Sequence, residues 1–168
     1  MEVTELENKS FKALKEVISS NFKHFDIEKM KDGSFYDARV TGYSKSQTQI
    51  YLIEIKNESR IGFDPEERFD DGGFIIPVNK LFGILNNFKH NYKLLYVCFV
   101  GTHYFILNLT KLLNSKLEDI ITLYGSVIQK NLKYGSETKV KTSILFLPFQ
   151  DFLVKQGNIS KKIEEFAI

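Results

Sequence analysis

The stretch from residue 35 to residue 56 constrains the fold most, because two β-prone runs there flank a short polar segment. Polar residues 44–48 are typical of a hairpin loop, so the two runs are predicted to pair as antiparallel strands. The second run, 51–56, consists of strand-forming residues but ends in Glu-Ile-Lys. Charged side chains are costly to bury unless they are paired or bind a ligand. This departure from the apolar pattern marks where we expect a functional site.

The geometry of this hairpin brings two carboxylates together. A turn centred near Lys45 and Ser46 places Asp37 opposite Glu54, and directly opposed side chains lie on one face with Cβ atoms about 5 Å apart. Lys56 follows Glu54 by two residues and shares that face. Two carboxylates so close repel each other unless a cation lies between them, and carboxylate, carbonyl and water oxygens suit Mg²⁺. A shift of one residue in register would turn Asp37 to the other face.

A first helix is predicted over residues 4–22, where apolar residues recur at spacings of three and four. Thr4 is a candidate cap for this helix, with Glu7 as its partner in a capping box. Alternatively, Glu7 is a third carboxylate that the helix carries toward the hairpin, because it lies on the apolar face of the helix. Both interpretations stay open.

Similar patterns predict four further strands and two further helices. The strands are expected at 24–30, 92–100, 103–109 and 140–147, the helices at 77–90 and 116–132, with short helical pieces at the C-terminus. The polar segment 57–73 is expected to be a loop with solvated acidic side chains. This order predicts an α/β fold with a mixed central sheet and helices on both faces.

Composition favours a cytosolic protein of one domain. The chain has 168 residues, of which 43% are apolar, so it can bury a core of its own. Its single cysteine, Cys98, lies in an apolar strand-like run and excludes an internal disulfide or a cysteine-based zinc site. The acidic N-terminus lacks the apolar segment of a signal peptide, and no apolar run approaches the length that spans a membrane.

Basic residues outside the hairpin are candidates for nucleic-acid contacts. Because the net charge is only +2, such contacts would depend on local patches. Lys80 is expected near the N-terminal end of the second helix, where it would border the charged end of the hairpin and could contact a phosphate. Lys133, Lys139 and Lys141 form a basic stretch suited to phosphate contacts. A solvated surface is the alternative for all four lysines.

The arrangement resembles the PD-(D/E)xK nuclease superfamily, most nearly its Holliday-junction-resolvase and repair-nuclease branches. The resemblance rests on Asp37, on Glu-Ile-Lys at a strand end, on the upstream helix with Glu7 and on the α-β-β-β-α-β order. Tyr36 precedes Asp37 where the family name has proline. The resemblance covers about residues 5–109. It implies a restriction-endonuclease-like core, with residues 110–168 as a helix–strand–helix extension.

The resemblance also implies a site. The acids that match Asp37 and Glu54 bind Mg²⁺ in that family, and the lysine that matches Lys56 positions the attacking water. An acid of the first helix often completes the site, and Glu7 is the candidate here. The same chemistry follows without the resemblance. A divalent ion held by Asp37, Glu54 and the Ile55 carbonyl would stabilise the charge that develops in phosphodiester hydrolysis and would lower the pKa of a bound water.

We therefore expect a Mg²⁺- or Mn²⁺-dependent nuclease that acts on DNA, with RNA as an alternative substrate. A homodimer is expected because one such site cuts one strand, and the apolar hairpin 92–109 with Ile163, Phe166 and Ile168 offers a surface for it. A non-catalytic nucleic-acid-binding or protein-interaction module on the same fold is the main alternative. A third interpretation is a structural domain in which Glu54 pairs with Lys56 or Arg39.

Overall fold

The computed structural model describes the backbone of residues 3–31, 33–57, 72–89, 91–130 and 139–168, and their side chains apart from 3, 126–130 and 139–140. The acidic residues of the predicted loop 57–73 and Lys133 therefore lie outside the described residues. The helices are α1 (Val3–Asn21), α2 (Val78–Asn86), α3 (Thr110–Leu113), α4 (Leu117–Thr122) and α5 (Phe149–Phe152), with a 3₁₀ helix at Ile163–Glu165. The strands are β1 (Phe25–Lys29), β2 (Ala38–Tyr43), β3 (Thr48–Asn57), β4 (Gly73–Pro77), β5 (Tyr92–Val100), β6 (His103–Asn108), β7 (Tyr124–Lys130), β8 (Lys139–Pro148) and β9 (Leu153–Asn158).

The main sheet has six strands in the order β1-β2-β3-β5-β6-β9. Strands β3 and β5 are parallel, whereas the other neighbouring pairs are antiparallel, so the sheet is mixed. The parallel pair requires a crossover, and α2 lies within it. The prediction of an α/β fold with a mixed central sheet is confirmed.

The β2–β3 hairpin has the register that the sequence predicts. Tyr43 pairs with Thr48 and Ala38 with Ile53, which centres the turn between Lys45 and Ser46. The Ser44 N–H closes the turn by donating to the carbonyl of Gln47 at 3.0 Å. The end of the hairpin away from this turn is therefore where Asp37 and Glu54 come together.

Two apolar clusters cover the two faces of the main sheet. On one face, α1 and the 3₁₀ helix pack on the sheet. On the other face, α2 packs together with a second sheet of three strands in the order β4-β8-β7. Strand β5 lies between the clusters and is buried at every position from residue 94 to residue 100, which explains its nearly continuous apolar sequence. Cys98 is buried there as a free thiol, as expected.

The N-terminal end of α1 differs from the prediction. The helix begins at Val3, so Thr4 lies within its first turn rather than before it. A capping residue has to precede the helical residues. The interpretation of Glu7 as the partner of Thr4 in a capping box is therefore wrong.

The predicted helix 116–132 is wrong beyond residue 122. Among the described residues of that range α4 is helical, but Tyr124 begins β7, which pairs with β8. Leucines and isoleucines spaced three or four apart fit a helix, but Tyr124, Val127 and Ile128 also favour a strand, and pairing with β8 decides between the two. Strands β4 and β9 were not predicted either. Within the region after residue 109, β9 pairs with β6 and adds a sixth strand to the main sheet, whereas β7 and β8 belong to the second sheet.

The apolar segments expected at a dimer surface are buried within the chain. Residues 94–100 of β5 and 104–107 of β6 lie inside the two clusters. Ile163 and Phe166 pack against α1, and only Ile168 of that set is exposed. Most of the predicted dimer surface is therefore buried, and within it only Lys93 and Ile168 are exposed. Within the described parts of the chain, α1 and the other helices are too short or too polar to span a membrane.

Candidate functional site

A cavity of about 430 Å³ opens at the end of the β2–β3 hairpin that lies away from the turn. Its walls come from α1, from the connection between β1 and β2, from the C-terminal part of β3 and from the first turn of α2. The acidic residues among the lining are Glu7, Asp37 and Glu54, and the basic ones are Lys29, Lys31 and Lys80. Carboxylates and ammonium groups thus line one recess.

Asp37 lies immediately before β2, at an irregular point of the hairpin. Its N–H donates to the carbonyl of Ile53 at 2.9 Å, although Ile53 is the pairing partner of Ala38. Two consecutive residues thus face one residue of β3, the pattern of a β-bulge, which typically redirects a side chain. The Asp37 side chain turns toward β3, and its Oδ2 accepts a hydrogen bond of 2.7 Å from the N–H of Ile55.

Glu54 carries the second carboxylate, on β3. Its side chain is only 11% exposed, and its Oε1 lies 3.0 Å from the Nζ of Lys80. Its Oε2 is buried and has no hydrogen-bond partner among the described residues. Burial, and secondly the charge of Asp37, raise the pKa of Glu54 to about 8, although the ammonium of Lys80 acts in the opposite direction. The acid pair therefore holds a proton at neutral pH when nothing else binds it.

Lys80 reaches the acid pair from α2. The helix begins directly after Pro77, and its apolar residues Leu81 and Ile84 are buried against the main sheet. Lys80 precedes Leu81 and lies at the edge of this buried face, with 35% of its side chain exposed. The crossover from β3 to β5 therefore brings a lysine of the first turn of α2 over the face of β3 that carries Glu54. This position is the one the sequence predicts.

Of three further residues of the predicted site, two line the cavity and one does not. Glu7 lines it from α1 and is exposed. Ile55 lines it from β3 and holds Asp37 through its N–H. Lys56 is half-buried on the same face of β3 as Glu54 but is not among the described residues that line the cavity. The structure thus brings Lys80 to the acid pair.

Other residues of the cavity were missed by sequence reasoning. Lys29 pairs with Ala38 across β1 and β2, and its Nζ donates to Asn8 Oδ1 at 2.6 Å. Lys31 and Ser10 line the cavity too, and Ser10 is buried. The sequence could have predicted the position of Lys29. The turn predicted at 31–34 sets the register between β1 and β2, and this register places the end of β1 beside Asp37.

The donor set fits a divalent cation. Among the residues that the structure describes, no group of three or more His, Cys, Asp or Glu side chains is arranged to hold a metal ion. Two carboxylates nevertheless converge, and the buried Glu54 Oε2 lacks a partner among the described residues. Mg²⁺ is commonly held by one or two carboxylates with water and substrate phosphates completing its ligands. Asp37 and Glu54 would supply the two carboxylates here.

The predicted basic stretch lies on the second sheet. Lys141 is exposed on β8, opposite Ile128 of β7. The side chain of Lys139 and the whole of Lys133 lie outside the described residues. Lys141 is not among the described residues that line the cavity, so any contact with nucleic acid there would be separate from the acid pair.

The chain matches no protein-family model, no curated protein and no solved structure. Any assignment of function therefore depends on the cavity and on the fold that forms it. These define an α/β protein with a carboxylate pair, of which Glu54 is largely buried, at the end of two inner strands of a mixed sheet.

Proposed function

We propose that the protein is a nuclease that uses Mg²⁺ or Mn²⁺ to hydrolyse phosphodiester bonds in DNA. One observation carries the proposal: the largely buried carboxylate of Glu54 lies beside the half-buried carboxylate of Asp37, in a cavity that three lysines also line. A protein gains no stability from burying Glu54 beside a second carboxylate, because the desolvation of Glu54 and the repulsion from Asp37 both oppose it. Such costs are typical of a site that binds a cation.

The residues of the chain have separate tasks in this proposal. Asp37 and Glu54 would hold the cation, with Glu7 and the Ile55 carbonyl as further candidate ligands. The Ile55 N–H fixes the orientation of the Asp37 carboxylate. A bound Mg²⁺ would offset the negative charge of the reacting phosphate and lower the pKa of a water. A resident cation would also replace the proton that Glu54 otherwise retains.

In the reaction, the oxygen of a water forms a bond to phosphorus while the bond from phosphorus to one sugar oxygen breaks. The water gives a proton to solvent, and the departing sugar oxygen takes one up. Lys80, already in the cavity, is placed to offset the charge of the phosphate oxygens as it develops. Lys56, which the family resemblance assigns to the attacking water, lies two residues beyond Glu54 on the same face of β3.

The fold supports the assignment at the level of topology. The segment from α1 through β1, β2, β3 and α2 to β5 has the order that the resemblance to PD-(D/E)xK nucleases implies, with the inserted β4 as an addition. The restriction-endonuclease-like core is part of the proposal. A fold supports several functions, so the acid pair remains the main support.

Cleavage assays with site variants test the proposal directly. Plasmid, single-stranded DNA, branched DNA and RNA would be incubated with the protein and either Mg²⁺, Mn²⁺ or a chelator. We expect cleavage that requires the metal and that disappears in Asp37→Ala and in Glu54→Ala. Asp26→Ala, which changes an exposed acid of β1, is the matched control and should cleave as the wild type does. Cleavage that persists in both site variants would assign the activity to another site or to a contaminant.

A non-catalytic nucleic-acid-binding module is the second candidate. The ion pair between Lys80 and Glu54 favours it, because the lysine partly balances the acid pair without a metal. Binding of nucleic acid without cleavage over a wide range of Mg²⁺ and Mn²⁺ concentrations would decide for this candidate.

Two further parts of the proposal are a cytoplasmic location and association as a homodimer. A two-fold dimer is the commonest assembly of soluble chains and would present two sites to two strands. Leu117, Ile121 and Tyr124 are among the exposed apolar residues that could form its interface, since most of the residues first expected there are buried. Sedimentation at concentrations around tens of micromolar, a range typical of weak dimers, tests this part. If only the monomer sediments at every concentration, the homodimer is excluded.

A further inference from the structure

The acid pair is recessed, which limits what can reach it. The Glu54 side chain is only 11% exposed, and its Oε2 is buried. A cation that binds both carboxylates would therefore lie within the cavity. The reacting phosphate then has to reach into the cavity to contact that cation.

The size of the cavity sets how much can enter. At about 430 Å³ it lies near the lower end of the range for small-molecule pockets, roughly 300–1,000 Å³. Such a volume suits one nucleotide. A paired nucleotide is held against its partner and the neighbouring bases, so it enters a closed pocket only after it has been unpaired and unstacked. The lysines of the wall, Lys29, Lys31 and Lys80, suit the phosphates of such a strand.

An exposed aromatic ring lies beside this cavity. Phe35 directly precedes Tyr36, which lines the cavity, and 47% of Phe35 is exposed. Its ring lies against α2 at Gly83, because a Cβ on Gly83 would overlap the Phe35 ring. Gly83 is three residues from Lys80 and therefore on the same side of the helix. The ring is thus held in place next to the lysine that contacts the acid pair.

Phe82 provides a contrast on the same helix. It is 59% exposed, but the helical repeat turns it about 200° away from Lys80. Phe35 and Phe82 are the exposed phenylalanines within the described part of the chain. Of these two, Phe35 belongs to the segment 33–37, whose other residues line the cavity, and nearly half of Phe35 remains exposed beside its contact with Gly83.

We infer that the substrate is single-stranded nucleic acid, with one unpaired nucleotide in the cavity and a neighbouring base stacked on Phe35. The inference deepens the proposed function and rests on it for the chemistry of the acid pair. Aromatic rings combined with lysines are the usual means of binding a single strand, and stacking tolerates any base. The β1–β2 connection and α2 would then act together as the entrance for the strand.

Binding measurements without cleavage test the ligand class. A short fluorescent oligothymidine and the same strand in a duplex would be titrated in the presence of a chelator. We expect tighter binding of the single strand. Phe35→Ala should weaken it by about fivefold or more, because base stacking contributes about 1–3 kcal/mol and 1.4 kcal/mol corresponds to tenfold. Phe35→Tyr retains an aromatic face and should bind as the wild type does, and Phe82→Ala is the matched control.

The outcomes separate this inference from the proposed function. Equal binding of single strand and duplex, or equal effects of Phe35→Ala and Phe82→Ala, would overturn the inference. Metal-dependent cleavage of intact duplex in preference to single strands, lost in Asp37→Ala, would also overturn it while the nuclease proposal stands. If the protein binds single strands selectively but cleaves nothing with any metal, single-stranded nucleic acid would be supported as the ligand and the proposed nuclease activity would be excluded.

Gly83→Ala offers a second route to the same test. A Cβ at this position would displace the Phe35 ring without removing it. We expect weaker binding of the single strand in a protein that melts as a folded chain. Unchanged binding in this variant and in Phe35→Ala would show that the ring has no part in recognition.

Discussion

The Nζ of Lys80 lies 3.0 Å from Oε1 of Glu54, yet the pKa of Glu54 is raised to about 8. A lysine so close ordinarily keeps a carboxylate ionised. Burial and the neighbouring Asp37 outweigh it here, in that order. The acid pair is therefore short of positive charge even with Lys80 beside it, and this shortage has measurable consequences.

Stability should fall as the pH rises through the range in which Glu54 titrates. Between its ordinary pKa of 4.5 and the folded value of about 8, Glu54 is protonated in the folded chain and ionised in the unfolded chain. The folded state then binds more protons, so the free energy of unfolding decreases with rising pH and levels off above about pH 8. The contribution is on the order of a few kcal/mol.

The variant Glu54→Gln isolates this contribution, because glutamine stays neutral. Relative to the wild type, its free energy of unfolding should increase between about pH 5 and pH 8, as measured by urea denaturation. Glu28→Gln changes an exposed acid of β1 and serves as the control, with no such trend. A difference between Glu54→Gln and the wild type that is the same at every pH would contradict the raised pKa.

Divalent cations should raise the melting temperature of the metal-free protein. A ligand that binds only the folded state stabilises it by about 2.7 kcal/mol at a hundred times its Kd. Mg²⁺ and Mn²⁺ should act in this way on the wild type but not on Asp37→Asn or Glu54→Gln. Sodium chloride at matched ionic strength controls for screening. An equal shift in all three proteins would place the cation elsewhere.

The two lysines near Glu54 should differ in their effect on activity. Lys80 lines the cavity and contacts Glu54, whereas Lys56 is not among the lining residues. Under the nuclease proposal, Lys80→Met should reduce kcat more than Lys56→Met, by tenfold or more if charge stabilisation of the phosphate is lost. Single-turnover cleavage rates compare the two. The reverse order would favour Lys56 as the lysine that assists the water.

The hairpin and its acids could be predicted from the sequence because the information is local. Alternation with a period of two and a polar turn set the register, and the register brings Asp37 and Glu54 to the same end of the hairpin. The exact orientation of Asp37 could not be predicted, because it depends on an irregular pairing with Ile53 and on the N–H of Ile55. Bulges of this kind have no clear sequence signal.

The non-local part of the fold was harder to predict. Strand β9 pairs with β6 about fifty residues earlier in the chain, and β4 pairs with β8 across more than sixty. Neither strand is long or regularly alternating, so only the partner strand defines it. The same holds for β7, where apolar spacing suits a helix until β8 is present. The prediction of the site suffered less from these missed strands, because α1, α2 and β3 carry most of the residues of the site.

The basic stretch should contribute to binding through phosphates. Lys141 is exposed on β8, and Lys133 and Lys139 are close to it in sequence. Replacing all three with alanine should weaken binding of DNA and reduce the slope of log K against log salt by about one for each phosphate that a lysine no longer neutralises. Lys45, Lys93 and Lys155 are exposed as well, and their triple alanine variant removes the same charge as a control. Identical slopes in the two variants would show that the stretch is only a solvated surface.

Gly73→Ala should destabilise the protein, because β4 and β8 approach too closely there for a side chain. A Cβ on Gly73 would overlap the carbonyl oxygen of Leu147 and lie 2.8 Å from Cζ of Phe146. The carbonyl belongs to the paired strand and cannot move without disturbing β4, so we expect the free energy of unfolding to fall by about 1–3 kcal/mol, as for other overpacked sites. Gly42→Ala is the matched control in β2, since its Cβ would make only ordinary contacts at 3.7 and 3.9 Å. Urea denaturation compares the two variants, and equal stabilities would contradict the pairing of β4 with β8.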